Sequence, residues 1–80
     1  MNKYKGRYIK ITRGMHKGLI LHIHRYSGVQ IQGDIIGARV FADEYLNGKL
    51  VYKMRDWFLE YKLRYMWKYL DKDEAMIEIL

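Results

Sequence analysis

His22 and His24 stand two residues apart, which on a strand puts both imidazoles on one face, near enough to ligate one metal. Zinc asks for a third and fourth ligand. His16 is the remaining histidine, Asp34 the only acid nearby, and cysteine is absent. That donor set predicts no metal site and no cofactor. For acid–base work on a phosphodiester, the same pair with Arg25 and Arg13 as phosphate clamps would suit a small barrel ribonuclease. No other catalytic pattern is present: no glycine-rich phosphate loop, no His-Glu-x-x-His, and no plausible nucleophile at Ser27 or Thr12. The expectation is a protein that binds rather than catalyses.

Binding chemistry is concentrated in the first half. Residues 1–40 hold eight Lys and Arg against one acid, whereas residues 41–80 hold seven against eight. A segregated positive face attracts phosphates and gains from counterion release. Lys3, Lys5, Arg7, Lys10, Arg13, His16 and Lys17 are the candidate phosphate contacts. Tyr4, Tyr8 and Tyr26 are candidate platforms for unpaired bases. The leading expectation is a small non-enzymatic module contacting RNA, DNA or a nucleoprotein machine.

The second half carries a different surface. Twelve aromatics in eighty residues exceed what so small a core hides, and Trp57, Tyr61, Tyr65, Trp67 and Tyr69 cluster beside Arg64. Mixtures of Trp, Tyr and Arg are typical of interface hot spots. They make the alternative a protein–protein adaptor or inhibitor, with a composition compatible with a phage or mobile element. A homodimer would also cover spare aromatics.

The elements that position these residues read as short strands. Residues 7–13 alternate, with Ile9 and Ile11 on one face; residues 19–26 put Leu19, Leu21 and Ile23 opposite Ile20, His22, His24 and Tyr26. Ser27-Gly28 is the expected turn into a returning strand at 29–32, with a weaker strand at 35–41 interrupted at Gly37. Asn47-Gly48 suits a two-residue hairpin turn, and Arg55-Asp56 is taken as the next turn. Residues 57–64 are expected as strand, 65–71 to contain a short helical turn, 71–74 as a polar turn, and 75–80 as a closing strand. The fold class is all-β.

The run from Tyr8 to Leu21 resembles the KOW motif of ribosomal proteins and transcription elongation factors. Ile9 and Ile11 take its alternating positions, Gly14 its first glycine, and Lys17-Gly18 the end of its basic loop. It departs at Leu21, where the motif usually carries glycine. The resemblance implies a small five- to six-stranded SH3-like barrel with a short helical turn before its last strand; the length and the lack of any repeat or linker predict one domain, 1–80. Its members bind RNA, ribosomes, RNA polymerase or protein tails, so the resemblance bears on fold more than on function. No uninterrupted apolar run exceeds three residues, which predicts no membrane partner and a cytoplasmic protein.

Overall fold

In the computed structural model, which describes residues 5–79, the chain is mostly β, as its alternating apolar residues predict. The strands are β1 (Tyr8–Ile11), β2 (Ile20–Ile31), β3 (Asp34–Leu46), β4 (Lys49–Glu60) and β5 (Trp67–Leu70). A 3-10 helix (Tyr61–Met66) joins β4 to β5, and helix α1 (Lys72–Ile79) follows. The sheet runs β4-β3-β2-β1-β5, antiparallel throughout. β4 and β5 are its two edges and do not pair, so the barrel is not closed.

Two hairpin turns set the register. Asn47-Gly48, with φ of 52° and 80°, turns between Leu46 and Lys49 where it was expected. Both positions are left-handed, the geometry that matches the twist of the flanking strands. The expected turn at Ser27-Gly28 does not form; β2 runs through it and turns at Gln32-Gly33. Turning later lets residues 27–31 pair with β3, backbone hydrogen bonds that a turn at Gly28 would forfeit.

Arg55-Asp56 is likewise no turn. β4 continues through it and absorbs extra residues as bulges, with Met54 at φ 53°. The expected strand at 57–64 stops at Glu60, and the helical turn starts at Tyr61 rather than within 65–71. Residues 75–79 are helix, not a closing strand. Asp71 and Glu74 explain this: the Glu74 N–H donates to Asp71 Oδ1 at 2.8 Å, and the Asp71 N–H to Glu74 Oε1 at 3.3 Å. This reciprocal pair is a capping box, which starts a helix where a polar turn was expected.

The main core packs inside the curved sheet from Ile9, Ile11, Leu21, Ile23, Val40, Leu59 and Trp67. Gly37 belongs to this layer by necessity. A Cβ there would lie 2.3 Å from the Leu59 carbonyl oxygen, so only glycine lets β4 approach. On the sheet's other face, Ala75 of α1 packs with Ile20 and Leu70, flanked by Tyr8, Tyr45 and Ile79. The helix covers a face that would otherwise be wet.

Candidate functional site

The β1–β2 connection carries three of the expected cationic contacts, and its backbone is tied down. The Gly18 N–H donates to the Ile11 carbonyl at 2.8 Å, Lys17 N–H to Gly14 at 3.1 Å, and Thr12 N–H to Met66 at 2.8 Å. Gly14 sits at φ 88° with the Met66 methyl where a Cβ would go, which locks the loop against the 3-10 helix. Arg13, His16 and Lys17 therefore project from a fixed frame. All three are exposed.

The loop lands on the aromatic half of the chain. The Arg13 guanidinium lies 5.6 Å from the Tyr65 ring centroid, and the His16 ring meets Trp57 edge-on at 5.0 Å. Further along, two guanidiniums lie over the Tyr69 ring, Arg7 at 4.1 Å and Arg64 at 5.0 Å, and the ring is partly buried against the main core. Arg64 also faces Trp67 and donates to its carbonyl at 2.6 Å. Arg7, Arg13 and His16 of the basic half thus meet the aromatics of the second half.

Between them lies an apolar hollow of about 150 Å³, lined among others by Arg13, Met15, His16, Phe58, Leu63 and Trp67. Met15 is 93% exposed at its rim, with Phe58 and Tyr65 also open to solvent. Trp57 and Trp67 line it too, and their indole N–H groups are buried without a hydrogen-bond partner among the described residues. No family model, curated protein or solved structure matches the chain. The chemistry of the surface must be read from its own residues.

Not every expected contact belongs to this surface. Lys3 and Tyr4 lie outside the described residues. Lys5 is exposed beside Gly6, and Lys10 is engaged by Glu78 on the α1 face. Tyr8 stacks on His22 with centroids 4.3 Å apart and packs with the smaller core, so that face is occupied. Tyr26 was expected on the histidine face, yet it packs against the main core. The cause is a bulge: the β2–β3 register slips at His24, and every later side chain changes face. Trp67, expected as an interface anchor, is 5% exposed and forms the floor of the hollow instead. Trp57 and Tyr61 are partly buried against the same core. Arg64 and Tyr65 stay exposed.

The histidine pair has company that the sequence did not reveal. His24 Nε2 lies 2.8 Å from Asp43 Oδ2, and the Met54 backbone N–H donates to Asp43 Oδ1 at 2.9 Å. Burial lowers the His22 pKa, the neighbouring His24 lowers it further, and Asp43 opposes both. Burial pushes the Asp43 carboxyl up, but the His24 and Met54 hydrogen bonds and the imidazole charges outweigh it and hold it low. Of the two clamps in the ribonuclease reading, Arg13 lines the hollow on the opposite face of the sheet, whereas Arg25 follows His24 on β2 and lies over the Phe41 ring.

Proposed function

We propose that the protein is a non-catalytic module that binds single-stranded nucleic acid across the surface of Arg7, Arg13, Lys17, Arg64, Tyr65 and Tyr69. One observation carries this reading. Among the described residues these four cations have no carboxylate within ion-pair distance, and three of them lie over aromatic rings. Four other cations are paired locally, Lys10 with Glu78, Arg39 with Asp56, Arg55 with Glu44 and Lys62 with Glu60, while Arg25 lies over Phe41 away from this surface. The guanidiniums of Arg7 and Arg13 keep their forked donors for phosphate, Arg64 keeps those not spent on the Trp67 carbonyl, and the exposed Tyr65 ring beside Arg13 offers a platform to a base. Strand order, the basic loop between the first two strands and the 3-10 turn before the last strand support an SH3-like reading and agree with the KOW-like run.

The test is binding of a fluorescent single-stranded oligonucleotide across a salt series. Affinity should fall by ~0.7 logarithmic units per log unit of salt for each phosphate neutralised. Arg13→Ala with Lys17→Ala should weaken binding and flatten that slope. A salt-independent affinity, or one unchanged by the double variant, overturns the reading.

A second reading rests on the hollow itself. Met15, Phe58 and Leu63 expose apolar surface around it, which suits an apolar side chain from a protein partner. That interaction would resist salt and be lost in Phe58→Ser. The two readings predict opposite salt behaviour.

A further inference from the structure

His22, His24 and Asp43 converge from two strands on the sheet face opposite the hollow. His22 and Asp43 are register partners on β2 and β3, and His24 is the extra residue of the adjacent bulge. The bulge keeps His24 close to both. Its ring centroid lies 4.6 Å from that of His22, and one ligand atom from each of the three side chains falls within 4.8 Å of the others. Tetrahedral zinc with bonds of about 2.1 Å places its ligand atoms roughly 3.4 Å apart. The present spacing, from 2.8 Å to 4.8 Å, brackets that edge, so small side-chain rotations complete it.

We propose that these three residues bind one divalent first-row transition ion, for which zinc is the probe. Two imidazole nitrogens and one carboxylate oxygen form the donor set. Calcium and magnesium, which want oxygen alone, are disfavoured, and so is copper(I), which wants sulfur. The surrounding groups already hold the ligands in place. Met54 N–H occupies Asp43 Oδ1 and leaves Oδ2 facing the histidines, while Tyr8 stacked on His22 fixes the imidazole plane. His22 also lines an open groove with Arg7, Tyr8 and Leu70, which gives an ion a route in. Three protein ligands leave the fourth position to water or to a group carried by a partner. The bound ion would fasten β2 to β3.

A plain His24–Asp43 ion pair needs no His22, and this separates the alternatives. The experiment titrates cobalt(II) into the full chain prepared without a histidine tag, reads the visible absorption, and displaces cobalt with zinc. One ion per chain is expected, with melting temperature rising with zinc because only the folded chain presents the site. His22→Ala and His24→Ala should each weaken binding at least about tenfold, the lower end of what even a supporting residue costs. His16→Ala should leave it unchanged. Asp43 also holds Met54, so Asp43→Asn is read with circular dichroism, while the more exposed histidine variants carry the test. Absence of a cobalt spectrum, no zinc-dependent rise in melting temperature, or unchanged affinity in either histidine variant overturns the proposal. Nucleic-acid binding through Arg13, Lys17, Arg64 and Tyr65, none of which lines the groove beside His22, is tested separately by the oligonucleotide titration.

Discussion

The Met54 backbone N–H donates to the Asp43 carboxylate at 2.9 Å, across the bulge that β4 makes opposite β3. The two features depend on each other. A bulge takes Met54 out of the ladder and leaves its N–H without a strand partner, and the carboxylate supplies one. In return the N–H helps solvate a carboxylate that is only 8% exposed. Asp43→Ala removes the acceptor and should cost about 1–3 kcal/mol, the range for leaving a polar group unpaired. Asp43→Asn keeps one oxygen and should cost less. Urea unfolding of both variants checks the order, and equal losses would show that the Met54 bond contributes nothing.

Gly37→Ala tests the close approach of β4 to β3. The added Cβ would meet the Leu59 carbonyl at 2.3 Å and the Phe58 ring at 2.7 Å. The first of these is backbone in a ladder and yields only if the strands part. Overpacking of this kind costs about 1–3 kcal/mol. For a domain of this size, each kcal/mol lowers the melting temperature by roughly 4–8 °C. Gly28→Ala serves as the control, since nothing lies within 4 Å of a Cβ there. Equal melting temperatures for the two variants would contradict the argument.

Trp67 separates packing from binding. It is the register partner of Ile11 where β5 pairs with β1, and its ring packs in the main core while also lining the hollow. Trp67→Ala should therefore destabilise by about 3–5 kcal/mol, the range for emptying a buried aromatic site. Tyr65→Ala, at 60% exposure, should leave stability within about 0.5 kcal/mol and weaken oligonucleotide binding instead. A Trp67→Ala chain as stable as the parent would return that residue to the interface.

What the sequence made legible was local, and what it hid depended on partners far along the chain. Ile9, Ile11, Leu21 and Ile23 alternate, so their burial follows from period two alone. Asn47-Gly48 declares its turn through residues that tolerate positive φ. Tyr26 changes face because of a slip at His24, which is set by pairing with β3 and leaves no trace in local alternation. Asp43 meets His24 across nineteen positions, and only the later turn at Gln32-Gly33 brings them level. Asp71 and Glu74 do carry a signal, the capping spacing, which is masked because a polar run of Asp-Lys-Asp-Glu also suits a turn. The basic and aromatic sets appeared as rival surfaces because their union is tertiary.

Acid should weaken the fold in part through Arg39 and Asp56. The Arg39 guanidinium donates to both Asp56 oxygens, at 3.0 Å from Nε and 2.6 Å from Nη2 to the nearer one. That hydrogen bonding holds the Asp56 carboxyl below its ordinary value; slight burial opposes it, and the Arg39 charge adds to it. The folded chain thus binds fewer protons here than the unfolded chain. Its stabilisation is fully present above the unfolded carboxyl pKa of about 3.9 and is lost as pH falls through the lower folded value. Arg39→Gln should be less stable than the parent near neutrality, and the difference should shrink between about pH 5 and pH 2. Both groups are well exposed, so the difference should also shrink in high salt. Urea midpoints measured across that range decide it: parallel curves for parent and variant would mean that the pair does not contribute to acid stability.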